Sequence, residues 1–233
     1  MKKTLFLVTG LIAVAVVNAQ SLDEIIKNYS VAMKTDKLAS VTSIKITGKM
    51  SAMGMEMPMV MFMKNPNKIK VTYSFNGQDM VSVFDGEKGY MMNPMTGSSD
   101  PVELTGDQLT QVQQNNVFKN ELLNYFKTGK LTLEGQENVN DKPAFKLKAN
   151  VGNSFIYMFL DKGSYMLVKT TANIEQMGTS MNVDSYMTDY VDIDGVVMPK
   201  KTTAMANGME AAVITFDKIE VNIPMEDSIF KVK

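Results

Sequence analysis

Behind a short amino-terminal stretch, the apolar positions fall first into a helical period and then into a period of two. Leu22, Ile25, Ile26, Tyr29 and Met33 recur at helical spacing. They follow Ser21-Leu22-Asp23-Glu24, a capping box in which the Ser hydroxyl and the Glu carboxylate each satisfy a free backbone N–H. A helix with one apolar stripe is therefore predicted to about Lys34. Alternation then predicts five strands. Ile44 and Ile46 mark the first, Met53 to Met63 the second, and Ile69, Val71, Tyr73 and Phe75 the third. Val81, Val83 and Phe84 mark the fourth, and Gly89 to Met92 the fifth. Asn65-Pro66-Asn67, Asn76-Gly77 and Asp85-Gly86 stand between these runs and have hairpin turn chemistry, so this half reads as an antiparallel meander.

Asn93 to Gly106 is rich in Pro, Gly and Ser and breaks the alternation. Leu109 and Val112 then predict one short helix, and Phe118, Leu122, Tyr125 and Phe126 a second that ends near Gly129. Strands resume near Leu131 to Glu137, Ala144 to Ala149, Phe155 to Leu160, Met166 to Thr171, Ser180 to Asp189, Lys200 to Met205 and Ala211 to Val221. Gly152-Asn153, Asp161-Lys162-Gly163, Asp194-Gly195 and Asn207-Gly208 supply the turns. No linker or internal repeat divides the chain. The order predicts an α+β fold, mainly antiparallel β, with about 11 strands in one curved sheet and helices laid against it.

Met1 to Gln20 reads as a targeting segment. Lys2 and Lys3 precede an apolar run from Leu5 to Val17, and Val17-Asn18-Ala19 places small residues at a cleavage point after Ala19. The apolar run is shorter than the ~20 residues that span a bilayer, so a cleaved signal peptide over residues 1–19 and one secreted domain over residues 20–233 are expected. No Cys stands at the cleavage point to carry a lipid anchor.

Composition narrows the chemistry. The 233 residues include 22 Met but no His, Cys or Trp, and all 24 basic residues are Lys. Disulfides, Cys or His metal sites and imidazole-dependent catalysis are thereby excluded. A net charge of -1 without Arg argues against nucleic acid as a partner. Asp192-x-Asp194-Gly195 suggests a calcium loop, but the twelfth position is Thr203, where such a loop needs Glu, and a hairpin turn explains the segment. No carboxylate pair is placed for acid–base work, so no catalysis, cofactor or dedicated metal site is expected.

Several segments resemble the LolA/LolB family of periplasmic carriers and receptors of outer-membrane lipoproteins. Met63-Lys64-Asn65-Pro66-Asn67-Lys68-Ile69-Lys70-Val71-Thr72-Tyr73 is similar to that family's segment of basic residue, Pro, turn and strand. Val83-Phe84-Asp85-Gly86-Glu87-Lys88-Gly89-Tyr90 through Pro94 resembles its Asp-Gly hairpin followed by an aromatic and a Pro. Tyr190-Val191-Asp192-Ile193-Asp194-Gly195 through Pro199, and Ile219 to Phe230, resemble its carboxyl-terminal pattern. The resemblance implies an unclosed β-barrel whose concave face is covered by helices. It implies a periplasmic protein that carries acylated lipoprotein or lipid, a monomer that exchanges cargo with inner- and outer-membrane transfer proteins. It also implies a lid, here Leu22, Ile25, Ile26, Tyr29, Phe118, Leu122 and Phe126, and a lid clasp at the position nearest the family's Arg, which is Lys70. A Lys lacks the planar fork of Arg, so a clasp through it would be bonded differently.

Met53, Met55, Met57, Met59, Met61 and Met63 alternate without a break, which on a strand places six thioethers on one face unless Pro58 shifts it. With Ile69, Val71, Tyr73, Phe75 and Tyr90, they are the expected cavity lining. Three readings of the methionines stay open: adaptable core filler, the wall of an acyl-chain cavity, or a soft-metal site for Cu(I). A ligand-sensing regulator of envelope stress on the same fold is a further alternative.

Overall fold

The capping box is formed as expected: Ser21 Oγ accepts from the Glu24 N–H at 3.2 Å, and a Glu24 carboxylate oxygen accepts from the Ser21 N–H at 3.1 Å. It starts α1 (Leu22–Ala32), after which Lys34 takes a left-handed φ of 48° and the chain turns into the single-turn α2 (Thr35–Leu38). The computed structural model describes residues 20–96, 98–152, 154–176 and 179–231, so the leader expected over residues 1–19 lies outside the described residues.

The first half then builds β1 (Ser43–Ala52), β2 (Met55–Lys64), β3 (Lys68–Phe75), β4 (Gln78–Phe84), β5 (Gly89–Asn93) and β6 (Ser98–Leu104). A helical crossing follows, made of α3 (Gly106–Gln114) and α4 (Glu121–Lys127). The second half is β7 (Leu131–Val139), β8 (Lys142–Val151), β9 (Ser154–Asp161), β10 (Leu167–Gln176), β11 (Thr179–Ile193), β12 (Val196–Ala206) and β13 (Met209–Val221). Except for β6 and β7, consecutive strands pair antiparallel, and β1 pairs with β13, so the two meanders merge into one 13-stranded sheet. β6 and β7 are its two edges. Gly129, with φ 67°, ends α4 as predicted: the Gly129 N–H donates to the Phe126 carbonyl at 3.0 Å and the Lys130 N–H to Tyr125 at 2.8 Å.

Two expectations change. The segment read as a break contains β6, which pairs Gly89 with Leu104 and Met91 with Val102. Its Pro101 hid it, since Pro disrupts alternation and is tolerated on an edge strand. The methionine run also begins later than predicted. Met53 and Gly54, with φ of 52° and 75°, form a two-residue hairpin turn between Ala52 and Met55, and Met53 is 93% exposed. Pro58 does not shift the face. It sits opposite Lys49 in an unbroken β1–β2 register, one residue outside the β2–β3 ladder that starts at the Met59–Tyr73 pair.

The concave face carries two apolar clusters. In one, α3 and the segment after it, through Leu109, Val112, Val117 and Phe118, pack on Ile44, Ile46, Met59, Met61, Met63, Ile69 and Val71. In the other, α1 and α4, through Ile25, Ile26, Tyr29, Leu122 and Tyr125, pack on Phe145, Leu147, Met158 and Leu160. A separate cluster lies on the opposite face. There Met225 and Phe230, after the last strand, pack with Val83, Phe62 and Tyr90. Lys64 Nζ donates to the Met225 carbonyl at 2.8 Å, and Lys64 and Lys68 hold the Asp227 carboxylate at 2.6 and 2.9 Å.

Gly48 lies in a register shift between β1 and β13, where a Cβ would stand 2.1 Å from the Thr215 carbonyl oxygen. Backbone cannot withdraw as a side-chain tip can, so Gly48→Ala is expected to lower stability by about 3 kcal/mol in urea unfolding. A loss below about 0.5 kcal/mol would contradict this reading.

Asp227 is held at about 2, against an ordinary 3.8, by the hydrogen bonds from Lys64 and Lys68. A carboxylate whose folded pKa is depressed adds stability above its unfolded value, and that contribution is lost as pH falls from about 4 to about 2. Thermal melts across that window should show a shallower acid limb for Asp227→Asn than for the parent protein. Superimposable limbs would remove the ion cluster from the account of acid stability.

Candidate functional site

Between the two concave clusters the helices do not meet the sheet, and a cavity of about 530 Å³ remains. Its floor is the seam of the two half-sheets. Ile46 from β1, Phe216 and Ile214 from β13, and Val196, Met198 and Thr202 from β12 form the middle. Met59, Met61 and Tyr73 border it on one side, and Met187, Tyr190, Thr170 and Met158 on the other. Met33, Leu38 and the 115–122 connection between α3 and α4 form the roof.

Six thioethers face this space: Met33, Met59, Met61, Met158, Met187 and Met198. Unbranched and polarizable, they conform to guests of varied shape at little strain. Several polar groups here are bonded within the protein. Tyr190 Oη donates to the Leu167 carbonyl at 2.6 Å, and the Asn116 side-chain oxygen accepts from the Phe118 N–H at 3.0 Å. Among the described residues, no buried side-chain nitrogen or oxygen lacks a partner. Burial pushes the Tyr73 and Tyr190 phenols up, Tyr190 also through its neighbour Tyr29, so both stay uncharged at neutral pH. The interior therefore offers mainly area and shape, with the Tyr73, Thr170 and Thr202 hydroxyls on its walls and Lys119 and Glu121 at its roof.

Of the residues singled out in the sequence, Met59, Met61, Tyr73 and Leu122 line the cavity. Met63, Ile69 and Val71 lie farther along the same face, packed in the core. Met57 is buried beyond the cavity, Met55 is 40% exposed, and Phe75 is half-buried at the end of β3. Tyr90 is on the opposite face with Phe230. Ile25, Ile26 and Tyr29 are packed into the cluster under α1, with Leu22 and Phe126 at its margin, and Phe118 packs on the other cluster. Lys70 stands in register with Phe62 and Val83, both on the convex side, so it is turned away from the helices and no clasp runs through it.

The contacts that hold the cover lie elsewhere. Lys34, at the α1–α2 corner, pairs with Asp192 on β11. The Asn120 side-chain oxygen caps α4 by accepting from the Leu123 N–H at 3.1 Å, while its amide donates to Tyr29 Oη at 3.1 Å. Burial raises the Tyr29 pKa and the Asn120 bond offsets part of this. Met33, Leu38, Met187, Met198 and Phe216 were missed as lining, because alternation locates a strand face without saying which row lies under a gap between helices.

A scan of family models finds no match, and a search of curated proteins finds none either. Solved structures do match. A DUF1329 family protein from Desulfovibrio piger is 13% identical, with a TM-score of 0.61, over 89% of this chain and 97% of its own. A domain from Vibrio parahaemolyticus named for outer membrane lipoprotein sorting is 11% identical, with a TM-score of 0.59, over 89% and 94%. A LolA superfamily protein from Nitrosomonas europaea is 13% identical, with a TM-score of 0.55, over 85% and 96%. The fold is thus LolA-like: an unclosed antiparallel barrel with a helical cover.

Asn120→Ala removes a helix cap and the partner of a buried phenol. Chemical denaturation is expected to register a loss of about 2 kcal/mol. A loss no larger than that of an exposed surface substitution would mean that this pair does not hold the cover.

Proposed function

We propose that this protein is a periplasmic carrier that binds the acyl chain of a lipoprotein or other lipid in the cavity beneath its helical cover, and that it acts by binding rather than catalysis. The observation that carries the reading is a methionine-lined, mainly apolar cavity of about 530 Å³ in the gap between two packed clusters. That size falls within the range of about 300–1,000 Å³ usual for small-ligand sites. Each methylene moved from water into such a space contributes about 0.8 kcal/mol. About ten of them correspond to micromolar affinity before ordering costs are subtracted. Two structural neighbours are named for the LolA superfamily and for lipoprotein sorting, which is in keeping with acylated cargo. Among the described residues no helix is long and apolar enough to cross a membrane. A location in the periplasm rests on the leader-like residues 1–19.

The methionine wall also supports a second reading, Cu(I) binding, because thioethers are soft ligands. One set of measurements separates the two. Protein purified without detergent should release lipid that mass spectrometry identifies, and it should bind a fluorescent fatty acid. Thr170→Trp, which fills the space from its wall, should weaken that binding by about tenfold, or 1.4 kcal/mol. Absence of both lipid and probe binding, with tight stoichiometric Cu(I) uptake lost when Met57, Met59 and Met61 become Leu, would replace the carrier reading with the metal one.

A further inference from the structure

The cavity just described is one of a series of adjoining spaces. Outside it lies a recess of about 390 Å³ that shares Leu38 and Asn120 with the cavity wall. Beyond that, a groove of about 630 Å³ shares Thr35, Leu123 and Lys127 with the recess and passes the 70% exposed Val31 between α1 and α4. The three spaces therefore adjoin one another along the seam between α2 and α4, with Leu38 and Asn120 standing between the recess and the methionine-lined interior.

The chemistry changes along this route. The cavity is mainly apolar, with Asn115, Asn116, Lys119 and Glu121 at its roof, whereas Thr35, Asn65, Asn120, Asn124 and Lys127 border the recess. The Asn65 amide is spent on the Val41 carbonyl at 2.8 Å, and Asn120 is spent on Tyr29 and the α4 cap. Lys127 and Asn124 are in a different position. Among the described residues, Lys127 belongs to none of the ion pairs, although it stands in the last turn of α4. An apolar chamber opening into a recess that has an unpaired ammonium matches an amphiphile whose polar end is anionic and rich in acceptors. The seam is also free to part, since among the described residues no side-chain hydrogen bond or ion pair joins Thr35–Leu38 to Glu121–Lys127.

Resting on the carrier reading, we propose that the ligand enters between α2 and α4 and keeps its anionic end in the recess beside Lys127, with its acyl chain in the cavity. Carboxylate and phosphate ends share this chemistry. The site thus selects acidic amphiphiles over neutral ones of equal chain length, and α2 is the element displaced as the chain passes.

The protein has no cysteine, so one introduced thiol takes a label at a single place. Asn124→Cys puts it at the seam, and Ala212→Cys puts it on the inner face of β13, opposite Ala52 and near the Met53 turn. Each variant is compared before and after capping with a bulky maleimide, using cis-parinaric acid, its methyl ester and a lysophosphatidic acid competitor. Capping at Asn124 should slow association of the acid by about tenfold or more, and capping at Ala212 should leave it unchanged. Lys127→Glu should weaken the acid by about tenfold while shifting the ester less than about twofold. Competition by the lysophosphatidic acid that is lost in Lys127→Glu would mark phosphate as a second accepted end. Slowing by the Ala212 cap alone overturns the route, and equal losses for acid and ester in Lys127→Glu overturn the headgroup assignment. If the uncapped parent binds neither probe, the carrier reading fails and takes this inference with it. That result differs from binding which ignores both caps, where only the route falls.

Discussion

A sheet whose edge strands do not meet cannot bury its inner face against its own far wall. β6 and β7 stay unpaired with each other, and the 26 residues between Leu104 and Leu131 must bridge the gap from one edge to the other. They do so across the concave side. Each helix there satisfies its own backbone and contributes one apolar stripe, which is the only economical way to cover so many inward side chains without further strands. The site descends from this constraint, because short helices cover patches rather than a whole surface.

Two patches are covered, and they lie over different strands. α3 answers the apolar rows of β1 to β6, and α1 with α4 answers those of β7 to β9. Over β10 to β13 the inward residues include Thr170, Thr202 and Ile214, which line the cavity beneath Leu38 and the segment between α3 and α4. An empty apolar chamber forfeits dispersion contacts on every lining atom. Methionine is the residue whose rotamers can lessen that loss while the chamber is empty and then withdraw when it is filled. A rigid wall of Val and Ile would hold one shape and pack one guest. The composition that stands out in the sequence is therefore intelligible as that of a wall that must adapt its shape beside a space the helices leave uncovered.

Much of this was legible from residue order. The start of α1 at Ser21 and the end of α4 at Gly129 depend on local backbone bonds, and local bonds are written in local sequence. The inward face of β2 follows from alternation alone, and Met57, Met59, Met61 and Met63 are 7, 1, 9 and 0% exposed. β6 was not legible, because an edge strand interrupted by Pro101 carries no alternation to read. Nor was the convex cluster, since Phe230 reaches Val83 and Tyr90 only after the chain has traversed the whole sheet. The same limit applies to Lys70, whose side of the sheet depends on register, and to the position of the cavity, which depends on where three helices stop.

The pairing of β1 with β13 has a meaning in time as well as in space. A chain is made and delivered from its amino end, so β1 emerges early and finds β2 at once, through a two-residue turn. Its other edge has to wait for Val221, Ile219 and Ile214, among the last residues to appear. Such distant pairing makes folding slow, because loop closure comes before the contacts that reward it. Until it occurs there are two half-sheets with no common floor, and the methionine-lined space does not exist. The cavity thus arrives in a single late event, with closure of the seam, and a chain whose last strands have yet to appear holds no half-built pocket.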